Sequence, residues 1–351
     1  ENVLSYWGRS FAAMGIRFFG GTVTLDLLDR KGKWNNGFCH YPKLVAYPKG
    51  KRVPGSSNFT SNTIHTQVGS GVQGIHTVFH EAGHAADRLG SFQTEVCVNH
   101  EYPPSSISWA ETHSMFMDTI SSSIEWRTRY AKNEKGEVYP FSIFENKVRQ
   151  LAPLRPLEMM GICSVVFFEK EIYECKNLTP QKVREIARKI NKKYYDRSED
   201  SISILNVPHI YSWESSAYYH GYGLAELTVC QWREYFMKKY GYIVDNPKVG
   251  KEILKMFTYA SVFPAKKLVI MATGKKLSPD AFIRKVTLPI EKIISSALTK
   301  IKRLEKVPEF TKKINLDGRI IMMHGKEKIT DNKKSFEDMD KKYRSWLKTQ
   351  S

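Results

Sequence analysis

Val78-Phe79-His80-Glu81-Ala82-Gly83-His84-Ala85-Ala86-Asp87 contains the pattern His-Glu-x-x-His. Residues four apart on a helix share a face, so His80 and His84 can direct two imidazoles at one metal ion. Glu81 then stands beside the water that such a metal activates. Two neutral imidazoles and a carboxylate able to take that proton make up the zinc-peptidase arrangement. The flanks predict a helix: Ser70 can cap it, no proline interrupts Val72 to Leu89, and Gly90 follows as a terminator. His76 lies on the same face one turn earlier, but only His80 is followed directly by glutamate. His76 therefore reads as a residue that lines the approach or backs a ligand. The competing structural reading is a helix with two hydrogen-bonded histidines and a surface glutamate.

A catalytic zinc needs a third protein ligand and one open position. One class of site adds a histidine shortly after the second one, but Asp87 and Gly90 occupy the diagnostic positions. The other class takes a glutamate from a following helix. Ser108-Trp109-Ala110-Glu111-Thr112-His113-Ser114-Met115-Phe116-Met117-Asp118 offers Glu111. Pro103 and Pro104 break the chain before it, and Ser105 or Ser106 can cap the new helix. Glu95 and Glu101 are rivals in an irregular segment. Asp118, two turns beyond Glu111, can accept the second ring N–H of a ligand histidine; a solvated acid is the plain alternative.

Thr77 to Ala85 followed by Ala110 to Asp118 resembles the thimet oligopeptidase and oligoendopeptidase F family of zinc metallopeptidases. Its two blocks read T-L-x-H-E-x-G-H-A and A-E-x-A-S-x-F-x-E, and the second block here is closer to the oligoendopeptidase F branch. Asp118 stands where glutamate is usual and His113 where a small residue is usual; neither departure removes a ligand. The order Asp26-Leu27-x-x-Arg30-x-Gly32-Lys33, then Gly37-Phe38-Cys39, then Asn58-Phe59, also resembles the family. The resemblance implies one Zn2+ per chain, held by His80, His84 and Glu111 in a gluzincin site, with Glu81 as general base. It implies a mainly α fold, a helical catalytic lobe with a small β-sheet beside the zinc helix. In related zinc peptidases an edge strand near Asn58 and Phe59 pairs with the substrate backbone, which makes those two candidate substrate-binding residues. Family members also carry a further helical half that walls a deep channel, so this chain reads as a catalytic half only.

Pro208-His209-Ile210-Tyr211-Ser212-Trp213-Glu214-Ser215-Ser216-Ala217-Tyr218-Tyr219-His220-Gly221-Tyr222 is dense in Tyr, His and Gly for a plain helix. Peptide hydrolysis passes through an oxyanion that a Tyr O–H or His N–H can stabilise. The family carries such a group here, and His209 matches its histidine. The tyrosines align only with a gap, so Tyr218, Tyr219 and Tyr222 compete, and another gap places His220 on a family tyrosine. The preferred catalytic assignments are His209 and Tyr219, then Tyr222. Tyr218 and His220 are taken as substrate-binding residues.

The 351 residues allow one large domain or two modest ones. The expected organisation is a catalytic domain over 1–305, with strand-rich 1–68, zinc-site helices in 69–133 and a helical lobe over 140–305. An appended hairpin about Asp317-Gly318 and a polar helix would fill 306–351. Leu44 to Tyr47 suggests a further short strand, and the apolar run Met159 to Phe168 suggests core. Glu1 in place of methionine suggests a processed product or a fragment. Five scattered cysteines without a C-x-x-C pair suggest reduced thiols in a cytoplasmic compartment. No run is long and apolar enough to insert in a membrane, and the start lacks a signal-peptide pattern. The formal charge of +18 is spread along several lysine-rich stretches. Solvated helix faces are its plain explanation; an acidic partner segment or nucleic acid is the alternative, the latter not favoured.

The expected activity is zinc-dependent hydrolysis of short unstructured peptides. A zinc protease acting on nucleic-acid-associated proteins and a non-catalytic peptide-binding remnant are the alternatives.

Overall fold

A computed structural model describes residues 1–34, 36–64, 67–100, 107–133, 135–196, 198 and 200–350. At its centre is a mixed sheet of order β2-β3-β1-β4-β5. The strands are β1 (Gly21–Leu28), β2 (Cys39–Lys43), β3 (Ser56–Thr63), β4 (Gly318–His324) and β5 (Glu327–Asp331). β1 runs parallel to β3 on one side and to β4 on the other, and the two outer strands are antiparallel to their neighbours. The alternation in β1 has a direct cause: Val23, Leu25 and Leu27 point into the core while Thr22, Thr24 and Asp26 point away.

The helices are α1 (Val3–Met14), α2 (Ser70–Leu89), α3 (Ile107–Ser121), α4 (Ile124–Tyr130), α5 (Phe141–Leu151), α6 (Leu157–Glu174) and α7 (Pro180–Tyr195). They continue as α8 (Tyr219–Tyr240), α9 (Pro247–Phe257), α10 (Ala265–Thr273), α11 (Asp280–Thr287), α12 (Ile290–Glu305) and α13 (Phe336–Leu347). The molecule is thus mainly helical, as the resemblance implies. One large core joins α1, the sheet, α2, α3 and α8 through Trp7, Phe11, Phe59, Phe79, Trp109, Phe116 and Trp232. A satellite cluster of Val165, Phe168, Ala187, Ile190 and Ile204 packs α6 on α7 and supports the loop that carries His209. No single described helix is long and apolar enough to cross a membrane.

Several local expectations differ from the fold. Ser70 does not cap α2: Gly69 holds that place, and the Ser70 hydroxyl accepts the Ile64 N–H at 2.7 Å instead. The expected caps Ser105 and Ser106, with Pro103, Pro104 and Glu101, lie outside the described residues. The segment after Glu111 is two helices, since α3 ends at Ser121, where Ser122 and Ser123 turn their hydroxyls onto the carbonyls of Asp118 and Ile120, and α4 begins at Ile124. Leu44 to Tyr47 forms only an isolated bridge, Ala46 to Val53. In the run Met159 to Phe168 only Ser164, Val165 and Phe168 are buried, and Phe167 is exposed.

The C-terminal segment is not an appendage. β4 occupies an inner position of the sheet, and Phe336, Met339, Tyr343 and Leu347 of α13 lie in the main core. The hairpin turn falls at Gly325, whose φ is +61, while Asp317-Gly318 leads into β4. An Asp-Gly pair marks a turn equally well at a strand entry, and sequence pattern alone does not tell these apart.

Candidate active site

Four parts of the chain converge on one cleft, one of them the segment that enters β2. α2 brings His80, Glu81 and His84, α3 brings Glu111, and the segment from the 3-10 turn Pro208–Tyr211 into α8 brings His209, Ser215, Tyr218 and Tyr222. α2 and α3 can approach this closely because of Gly83. A Cβ there would lie 2.8 Å from the Ser114 Cα, which no real Cβ tolerates.

His80, His84 and Glu111 each offer one ligand atom, all within 4.8 Å of one another. Glu111 Oε2 is 3.4 Å from Nε2 of His80 and 3.4 Å from Nε2 of His84. That is long for a charge-assisted hydrogen bond. It matches a tetrahedral zinc, whose bonds of about 2.0–2.1 Å put neighbouring ligand atoms about 3.3–3.4 Å apart. The residues therefore fit the metal. Asp118 Oδ2 lies 2.9 Å from His80 Nδ1, a contact that leaves Nε2 turned to the cluster, and His76 Nδ1 lies 3.6 Å from the other Asp118 oxygen. Glu111 is further fixed by the Ser114 hydroxyl, which donates to Oε2 at 3.0 Å, and by the Tyr218 hydroxyl, which donates to Oε1.

Burial alone would raise the Glu111 carboxyl, but His84 and His80 outweigh it and hold it well below the carboxylate range. Burial would lower the His80 ring, but Asp118 and Glu111 hold it well above the usual imidazole range. For Glu81 burial wins and pushes the carboxyl up to about 7. A carboxyl poised near neutrality suits a proton carrier. Burial lowers His209, which is therefore neutral at physiological pH, and its Nε2 lies 3.2 Å from the Tyr222 hydroxyl.

The structure separates the competing aromatic residues. Tyr218 and Tyr222 line the cleft. Tyr219 does not: its ring stands behind His209 and packs against the satellite cluster of α6 and α7. His220 is exposed and turns Nδ1 onto its own turn, 2.8 Å from the Ala217 carbonyl. Neither is a lining residue. Asn58 and Phe59 are also displaced. β3 is an inner strand, Phe59 is 1% exposed against Trp7, and Asn58 pairs between His40 and Thr24. The edge strand beside the cleft is β2, from which Cys39, His40 and Tyr41 line the wall.

Arg88 and Ser114 were not singled out by sequence reasoning. Arg88 lines the cleft one turn after His84, and Ser114 reaches Glu111 from three residues on. Their i+4 and i+3 spacing from a ligand was a usable signal. Glu95 lies exposed, away from the cluster.

A family model described as peptidase family M3 matches residues 19–287. No curated protein sequence matches the chain. Solved structures of similar fold include PZ peptidase A, 22% identical with a TM-score of 0.55. The match covers 79% of this chain and 44% of that one. A structure described as oligoendopeptidase F is 20% identical with a TM-score of 0.53, covering 79% and 44%. An M32 carboxypeptidase from Deinococcus radiodurans R1 is 12% identical with a TM-score of 0.56, covering 84% and 59%. At such identities the likeness is one of fold. The chain spans less than half the length of the first two proteins.

Proposed function

Since this chain belongs to peptidase family M3, we propose that it is a zinc-dependent peptidase acting on short, unstructured peptides. His80, His84 and Glu111 would hold the ion. Zinc there would supply Lewis acidity, polarising the scissile carbonyl and acidifying a water. Glu81 would take the proton of the attacking water and later deliver it to the leaving amine. Tyr222 and His209, which line the same cleft, would supply the O–H and N–H donors to the oxyanion, while Tyr218 supports Glu111. β2 offers main-chain groups of an edge strand beside the cluster, a way to hold extended peptides with little sequence preference. None of the five cysteines is in a disulfide, which would suit a reducing, cytoplasm-like compartment.

The observation that carries this reading is the pair of 3.4 Å separations from Glu111 Oε2 to the two imidazoles. The test is cleavage of a mixed pool of short peptides, read by mass spectrometry, with zinc content measured in parallel. Wild type is expected to cut with about one zinc bound. Glu81→Gln should keep the zinc and lose roughly a hundredfold or more in rate. Zinc without cleavage in wild type would leave a binding protein, and a chain that takes no zinc would overturn the assignment.

A further inference from the structure

Ala217, immediately before Tyr218, has a left-handed backbone with φ of 54°. That region is uncommon for a residue with a Cβ and persists only where surroundings over-determine it. Ala217 is gripped from both sides. Its N–H donates to Glu169 Oε1 at 2.9 Å, and its carbonyl lies 2.8 Å from His220 Nδ1. The next residue's hydroxyl donates to Glu111 Oε1. Glu169 comes from α6 and is 4% exposed, although much of that helix is only half covered. A carboxylate is withdrawn from water at a cost unless a partner uses it. Here it meets a backbone N–H at a left-handed position directly before a cleft residue.

We propose that Glu169, assisted by His220, is a positioning residue for Tyr218. By fixing Ala217 in the left-handed region it sets the direction from which Tyr218 reaches Glu111. Glu169 is not among the residues that line the cleft; its carboxylate also meets Tyr173 and lies near Tyr219, and its hold on Ala217 is the link that leads to Tyr218. Without it the backbone of Ala217 relaxes, the Tyr218 hydroxyl leaves Glu111, and of its two hydroxyl donors only Ser114 remains. The consequence for zinc rests on the metal-site reading above; the consequence for Tyr218 does not.

Two measurements on the full chain test this. The first is zinc affinity by chelator competition. Loss of a group that orients a ligand weakens metal binding by roughly 10- to 100-fold. Glu169→Ala and Tyr218→Phe should each weaken zinc by about tenfold or more, and the double variant no further, since both remove the same support. Glu169→Gln keeps a carbonyl acceptor and should stay near wild type. His220→Ala, a surface change that leaves folding intact, should show a smaller loss in the same direction. The second is an NMR contact between the Tyr218 ring and the Glu111 side chain in the zinc-free chain. It should be present in wild type and in Glu169→Gln, lost in Glu169→Ala and weakened in His220→Ala. Losses that multiply in the double variant, or a ring contact that survives in both alanine variants, would overturn the proposal. If wild type takes no zinc the metal-site reading fails, and the ring contact still decides the role of Glu169.

Discussion

His113 Nδ1 lies 2.9 Å from Asp87 Oδ1, and both side chains are completely buried between α2 and α3. The His113 ring is enclosed by Trp109, Trp232 and Phe257. Burial would raise the Asp87 carboxyl, but His113 and Arg88 outweigh it and keep it below its usual value. The residue that departs from the family pattern is thus matched by a carboxylate one turn beyond His84.

Removing one partner leaves the other with less to meet in an apolar interior, although Arg88 still stands beside Asp87. Asp87→Asn or His113→Ala should each destabilise the chain by about 1–3 kcal/mol. The pair removed together should cost less than the sum, because the two side chains act on each other. Denaturant unfolding of the two single variants and the double variant measures this.

Gly83→Ala forces a methyl group to within 2.8 Å of the Ser114 backbone. α2 and α3 must separate, at roughly 1–3 kcal/mol for such overpacking. Because His84 and Glu111 sit on opposite sides of that contact, zinc affinity should fall together with melting temperature. A variant that melts lower yet binds zinc as wild type does would show that the helix spacing does not govern the site.

In the zinc-free chain Glu81 and His80 should contribute less stability as pH rises, while the lowered His209 contributes more. Glu81 is pushed from the usual 4.5 to about 7, and His80 is also raised, so both bind protons more tightly folded than unfolded. Their contribution is full below the unfolded values, falls for Glu81 between 4.5 and about 7, and falls for His80 as pH passes its raised value. For Glu81 this amounts to about 3 kcal/mol. Zinc binding needs His80 deprotonated and should strengthen as pH rises. Calorimetry of wild type and Glu81→Gln across this range, with a chelator present, isolates the Glu81 part: the variant should gain on wild type as pH rises, and a constant difference would contradict the assignment.

The cleft geometry makes the tyrosines unequal. Tyr222→Phe should lower kcat by roughly 100-fold if its hydroxyl steadies the oxyanion. Tyr219→Phe should stay close to wild type, since that ring serves the satellite cluster. Steady-state kinetics on one cleaved peptide separates the two, and equal losses would sink the distinction.

The metal face of α2 was legible because it depends on helical period alone. The start of α7 was legible for a similar local reason: Thr179 accepts the Lys182 N–H and Pro180 opens the helix. Glu111 was a candidate from its place on a following helix, with Glu95 and Glu101 as rivals, and the family resemblance chose it, because nothing local links it to His84 across an irregular segment. Tyr218 could not be told from Tyr219 because it stands just before α8, where the helical period does not set its direction. Phe59 was misjudged because its burial depends on β1 and β2 lying on either side of β3. The pairing of β4 with β1 leaves no local trace, since its partners lie at opposite ends of the chain.

That last pairing bears on biosynthesis. When β1, β3 and α2 have left the ribosome, one whole side of β1 still has no neighbour. The strand that fills it, β4, is made only after all the metal ligands and the cleft aromatics. The nascent protein must therefore carry an open, hydrogen-bonding edge through most of its translation, the kind of surface on which chains pair wrongly with one another. Its yield in the cell should depend on chaperones that shield that edge until β4 arrives, and a premature stop before β4 should give an insoluble product rather than a shortened soluble protein.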